Sequence, residues 1–243
     1  MPGITGVYSN TQILEGLEAG NIVIDPFKEK NLNGSSYDIS LGENFYIISR
    51  NDELKPALYN PFDQDHIDKH FDGPHVAKSI GKLATSMGIE KPNNIPDDAQ
   101  GIVLQPGQRI LGHTQEFIGI KNGTSSMQAR STIGRNGVNV CQDAGWGDPG
   151  YINRWTMEIY NNNSEQRILL VVGMRIGQIV FYHTGPVDGE YSHLSGKYQS
   201  VDANNIEELV ASWQPEQMLP KAYKDKVLAY EPLVCDDTKG RAA

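Results

Sequence analysis

Between Gly101 and about Pro186 the chain runs in short apolar or alternating stretches, and this pattern constrains its fold more than any other feature. The stretches are IVLQPGQRILGHTQEFIGI, SMQARSTIG, GVNVCQDAGW, RWTMEIYN, ILLVVG and RIGQIVFYH. Gly, Asn, Asp or Pro interrupts them at spacings of about ten residues. Long packed helices need an unbroken helical period, which these interruptions deny. Short strands at this pitch build a sandwich or a barrel, and the 25 glycines and 13 prolines supply the turns.

The flanks read differently. From Ser9 to Gly20, cap-type residues precede Ile13, Leu14 and Leu17 at helical spacing and a glycine stops the run, which predicts a short amphipathic helix. NIVIDPF is β-branched and broken by Pro26; Tyr37, Ile39 and Leu41 alternate before Phe45 to Ile48, which predicts strand, turn, strand. Residues 50–100 hold no sustained period and read as an insertion or long excursion. They carry His66, His70 and His75. If helical, His66 and His70 share a face as a metal pair; with no third ligand arranged nearby, solvated loop histidines are the favoured reading. After a Gly- and Ser-containing stretch from Tyr191 to Gln199 come a helix-like NNIEELVASW and a Lys-rich end expected to be mobile. The expectation is a single domain over 1–243, with an insertion at 50–100 and a C-terminal extension at 200–243.

Charge narrows the partners. Lys and Arg number 21 against 30 Asp and Glu, a net charge of −9, which excludes a general nucleic-acid binder. Cys141 and Cys235 stand far apart with no C-x-x-C, so neither a disulfide framework nor a cysteine zinc site is implied. MPGITGVYSNTQ lacks a basic segment followed by an apolar one, and no run approaches the ~20 apolar residues of a bilayer span. The expectation is a soluble, cytoplasmic protein with no membrane partner.

Ionisable residues concentrate inside the β-rich segment. Arg130, Ser131, Thr132 and Arg135 fall in ARSTIGR, where two guanidinium groups and two hydroxyls suit an anion and Gly134 lets backbone approach. Each basic residue alone reads as a solvated charge. Lys197 in SGKYQ adds a cation, although the segment is no P-loop. Asp143 and Asp148 fall in QDAGWGDPGY. In RWTMEIYN as a strand, Trp155, Met157 and Ile159 share one face while Thr156, Glu158 and Tyr160 share the other. Glu158 then lies either in a pocket or on a wet face, and spacing alone favours the wet face.

The opening ITGVYSNTQILEGLEAGNIVIDPFKEKNLNGSSYDISLG, followed in order by ARSTIGR, AGWGDPGY, TMEIYN and GKYQ, strongly resembles the dCTP deaminases of the dUTPase-like superfamily, over residues 5–50 and 101–200. The resemblance implies a mainly β fold, a distorted β-barrel with jelly-roll character and short peripheral helices. It further implies a homotrimer with active sites between subunits, taking dCTP and with it dUTP or dTTP. Carried over by position, Arg130, Ser131, Thr132 and Arg135 form the loop that holds the triphosphate and positions water. Asp148 matches the acid on the deoxyribose 3′-hydroxyl. Thr156, Met157 and Glu158 match the strand that reads cytosine, with Glu158 at the general base, and Ala144, Gln178, Tyr191 and Lys197 match further nucleotide contacts. Magnesium is expected on the triphosphate, and no metal is expected on the protein itself.

Exchange of the amino group at C4 for water needs a base and then an acid, and one carboxyl can serve as both. With neither the H-x-E nor the P-C-x-x-C signature of zinc deaminases present, the residues permit a zinc-free route through Glu158, with Arg135 fixing its ionisation and orientation. AGW at 144–146 resembles the bifunctional, dUMP-forming branch, where monofunctional enzymes tend to carry an A-H-R-type sequence. Asp143, Cys141 and Gly147 depart from the threonine, histidine and apolar residue common there, and Val201 replaces a glutamine after KYQ. A monofunctional deaminase giving dUTP, a dUTP diphosphatase and a non-catalytic nucleotide-binding regulator remain the alternatives. Joint retention of Glu158, Arg135 and Asp148 favours catalysis.

Overall fold

The computed structural model describes residues 6–49, 57–188, 191, 197–199 and 205–224. Helix α1 (Asn10–Glu18) forms where its caps predict: the Ser9 hydroxyl accepts from the Gln12 N–H at 3.3 Å, and the Gln12 side chain accepts from the Ser9 N–H at 2.9 Å. Gly20, at φ +68°, takes the left-handed turn just beyond its end.

Strands β1 (Ile22–Asp25), β2 (Tyr37–Ser40) and β3 (Asn44–Ile48) follow. The segment expected to be an unpatterned excursion contains helix α2 (Gln64–His70), β4 (Phe71–Val76), β5 (Lys78–Ser79) and helix α3 (Ile80–Met87). The β-rich part comprises β6 (Gln100–Leu104), β7 (Arg109–Ile120), β8 (Thr124–Ala129), helix α4 (Ser131–Arg135), β9 (Val138–Asn139), β10 (Trp146–Gly147), β11 (Ile152–Asn161), β12 (Ile168–Val171) and β13 (Arg175–Tyr182). A C-terminal helix, Ile206–Ser212, and 3-10 turns at Pro215–Met218 and Ala222–Lys224 complete the described chain. The Lys-rich end from residue 225 onward, with Cys235, lies outside the described residues, as does Val201.

All strand pairing among the described residues is antiparallel. One sheet runs β4-β3-β7-β11-β9, with β1 also on β7; a second runs β10-β8-β13-β2; a third runs β12-β6-β5. The expected mainly β barrel of jelly-roll type is therefore corrected: the fold is mixed α/β, and each of the three sheets among the described residues is open, with two ends. Closure needs a staggered ladder on both edges of every strand, and the end strands β9, β10 and β5 are only two residues long. Beside β2 and just past its end lie isolated bridges, Leu32 to Tyr37 and Leu41 to Thr114, before the chain turns at Gly42 and crosses to the first sheet. A Cβ at Gly42 would overlap the His113 ring, so only glycine fits this crossing.

The two larger sheets share one core, in which Tyr37, Ile39 and Leu41 meet Ile110, Ile118, Met157, Ile159, Ile176 and Phe181. Strand β11 alternates as predicted, with Trp155, Met157 and Ile159 buried and Thr156, Glu158 and Tyr160 half-buried between them. Each fully buried aliphatic side chain contributes about 1.5–3 kcal/mol, and a one-residue slip would carry Glu158 into that core, so the apolar face fixes the register.

His66 and His70 lie on helix α2 rather than in a loop. The His66 Nδ1 accepts the Asn60 N–H at 3.0 Å, and the His70 ring stacks on Tyr59 at 4.3 Å. His75 lies 3.2 Å from Asp72. Among the described residues no three His, Cys, Asp or Glu side chains gather into a metal-binding group, and no helix is long and apolar enough to cross a membrane.

Candidate active site

Strand β11 carries the chemistry. Its pairing with β7 sets Thr156 opposite His113, Glu158 opposite Leu111 and Tyr160 opposite Arg109. The ladder shifts between Arg154 and Thr156, where the Trp155 N–H turns to the Thr114 hydroxyl at 2.9 Å. The cavity over this face has a volume of about 460 Å³. Thr156 and Glu158 line it together with Arg109 and Leu111 from β7, Phe71 from β4, Ala144, Trp146 and Asp148 from the turn before β11, Tyr151, Trp155, Tyr191 and Tyr198, and Met218 and Pro220 from the C-terminal extension.

Glu158 is in a pocket, contrary to the wet face that spacing favours. Its Oε2 is buried and has no hydrogen-bond partner, and burial raises its carboxyl pKa above the usual carboxylate range, opposed by its own backbone N–H and then by the Arg109 charge. Nearby, the Cys141 thiol donates to the Met127 carbonyl at 3.3 Å; burial first, then the Glu158 and Asp143 carboxylates, push its pKa up to about 11. That thiol stays neutral and packs as a small apolar group.

At the mouth, Trp146 is 63% exposed and its ring lies 6.4 Å from that of Tyr182. Asp148 is exposed at the rim, and Tyr191 stands edge-on to Tyr151 at 5.1 Å. A Cβ at Gly147 would lie 2.5 Å from the Trp155 ring, so glycine is required beneath a tryptophan anchored by its N–H to the Ile118 carbonyl at 2.8 Å. Gln199 ties the tail down: it accepts the Ile152 N–H at 2.8 Å and donates to the Gly150 carbonyl at 3.2 Å. Tyr198 accepts from the Asn153 amide at 2.8 Å through its carbonyl and lines the cavity.

The site residues singled out in the sequence fall into separate places. Ala144, Asp148, Thr156, Glu158 and Tyr191 line the cavity. The Met157 side chain points the other way, into the core, so only its backbone faces a ligand from this strand. Lys197 is half-buried beside Tyr198, and its carbonyl accepts from Lys221 at 3.2 Å. Arg130, Ser131, Thr132 and Arg135 do not line this cavity. Arg130 caps helix α4, Ser131, Thr132 and Arg135 are exposed, and the Arg130 Nε reaches the buried Asp38 carboxylate at 3.4 Å, which Arg175 also meets at 3.2 Å. Gln178 lies on β13 between Asp38 and Gln128, on that second sheet. Arg109, Phe71, Tyr198, Met218 and Pro220 are among the lining residues that sequence reasoning missed, with Leu111, Trp146, Tyr151 and Trp155. Arg109 ends a turn and reads as an ordinary strand-edge charge, while Phe71 and Met218 come from segments with no motif.

A concave cavity lined mostly by apolar and aromatic side chains, around a carboxylate whose burial raises its proton affinity, has the features of an enzyme site. The family model described as dCTP deaminase-like matches residues 7–184. Curated relatives include the dUMP-forming dCTP deaminase of Clostridium beijerinckii, 32% identical over 195 residues, covering 80% of this chain and 91% of that protein. That of Methanosphaerula palustris is 30% identical over 190 residues, covering 77% and 87%. Among solved structures, 2′-deoxycytidine 5′-triphosphate deaminase from Agrobacterium tumefaciens aligns with a TM-score of 0.50 and 15% identity, a likeness of fold that spans 86% of this chain and 54% of that one. The chain belongs to the dCTP deaminase-like family and is a hydrolase. The AGW at 144–146 resembles the dUMP-forming branch for which both of these relatives are named.

Proposed function

We propose that the chain deaminates dCTP at cytosine C4 through Glu158, without zinc, and then releases pyrophosphate to leave dUMP. The observation that carries this reading is Glu158 itself, a half-buried side chain that lines a cavity of about 460 Å³ and holds one buried carboxylate oxygen without a partner. A carboxylate of raised proton affinity takes a proton from water as the oxygen adds to C4. It returns that proton to the amino nitrogen as the C–N bond breaks and ammonia leaves. Thr156 and the Met157 backbone face the base, and Asp148 on the rim accepts from the 3′-hydroxyl.

The phosphates need cations, and among the described residues Arg109 is the one cation that lines this cavity. In this reading a second copy, within a homotrimer, presents Arg130, Ser131, Thr132 and Arg135 to the Glu158 cavity, and Gln178 and Lys197 complete the nucleotide contacts. The ARSTIGR loop offers guanidinium groups and hydroxyls rather than carboxylates, a donor set that fits phosphate and not a metal ion. Magnesium therefore enters as part of the substrate, neutralising phosphate charge.

Glu158→Gln tests the assignment. It is expected to keep dCTP affinity while ammonia release falls about 10²-fold or more. Near wild-type turnover in this variant would reject it.

A further inference from the structure

Strand β7 places a second ionisable side chain in the Glu158 cavity, one that no motif of the chain marks. Arg109 and Leu111 are two residues apart on one face of β7, and Glu158 stands directly opposite Leu111. Diagonal neighbours on adjacent strands are about 7–8 Å apart, well within the reach of an arginine. Arg109, Leu111 and Glu158 accordingly line the same cavity. Among the described residues that line it, Arg109 is the sole cation. The Glu158 Oε2 is buried without a partner, so a charge close by acts on it with little water between.

We propose that Arg109 is a positioning residue for Glu158: a cation from the same chain that keeps the base ionised and turned toward the ligand. This rests on the deaminase reading above. It differs in assigning part of the role expected of Arg135 to a residue already in place before any second copy arrives. The other titratable groups that face Glu158 do not substitute for it. Cys141 stays neutral, burial raises the Tyr191 pKa so that it too stays neutral, Tyr198 is a phenol, and Asp148 carries the wrong sign. Burial of Glu158 favours its protonated form; its own backbone N–H and then the Arg109 charge oppose this, so removing Arg109 makes the carboxylate harder to form.

The test is the pH dependence of kcat/KM for ammonia release from dCTP by the full chain, compared among wild type, Arg109→Leu, Arg109→Gln and Arg109→Lys. In the Leu and Gln variants the acid limb is expected to move to higher pH. Their loss should be about tenfold at the low-pH end and shrink toward the plateau, and Arg109→Lys should restore the limb. A purely structural role would lower the profile equally at every pH or lower the melting temperature, with the acid limb unmoved. Superimposed acid limbs in wild type and either neutral variant, or no rescue by lysine, would overturn the proposal. A wild type that releases no ammonia overturns the deaminase reading and this inference together, whereas an active wild type with unmoved limbs in the variants overturns the inference alone.

Discussion

Burial acts on His113 and Glu158 in opposite senses. The His113 ring is fully enclosed, with its Nδ1 2.8 Å from the Thr114 carbonyl and its Nε2 accepting the Asn44 N–H at 3.2 Å, the pattern of a neutral imidazole. Desolvation holds its pKa down at about 4, against 6.5 for a free histidine. Between about 4 and 6.5 the unfolded chain binds a proton that the folded chain refuses, so this residue's contribution to stability is full above 6.5 and is lost as pH falls toward 4. Denaturant titrations across this window should show wild type losing stability on acidification with a steeper slope than His113→Gln; equal slopes would contradict the buried neutral ring. At this scale the sequence was informative about direction and silent about depth. Period-two alternation set Glu158 opposite Met157, but its enclosure comes from Phe71, 87 positions earlier, and Met218, 60 positions later, and no local pattern carries that.

The accessory elements build that enclosure. Arg154 is held between the rings of Phe117 at 5.2 Å and Trp213 at 4.7 Å, and Trp213 also leans on His113 at 4.6 Å. This clamp fastens the stretch after the C-terminal helix, so that Met218 packs on Tyr46 and Leu111 and forms a cavity wall with Pro220. Trp213→Ala should cost about 1–3 kcal/mol of stability, from lost packing and a lost cation–π contact, and should raise KM for dCTP as the wall loosens. Unchanged melting and unchanged KM would show that the extension is not part of the site. The helix was legible in NNIEELVASW, its docking surface was not. Residues 50–100 looked patternless because α2 and α3 span only seven and eight residues, too short for a period to show. The barrel was misjudged because alternation predicts strands but says nothing of how their edges pair, and here two-residue end strands leave the sheets open.

For the whole molecule, the separation of ARSTIGR from the Glu158 cavity carries the quaternary proposal. If one copy supplies Glu158 and another supplies Arg135, then Glu158→Gln and Arg135→Ala chains, each inactive alone, should recover activity when co-assembled. Random assortment gives about a quarter of the wild-type level. A mixture as inactive as its parents would place both residues' work within one chain. The central claim is more direct still, because it concerns what leaves the site. In an early time course with dCTP and magnesium, the account predicts ammonia, dUMP and pyrophosphate rising together in equal amounts while dUTP stays low. Accumulation of dUTP in step with ammonia would contradict dUMP formation, and hydrolysis of dUTP with dCTP left untouched would contradict deamination itself.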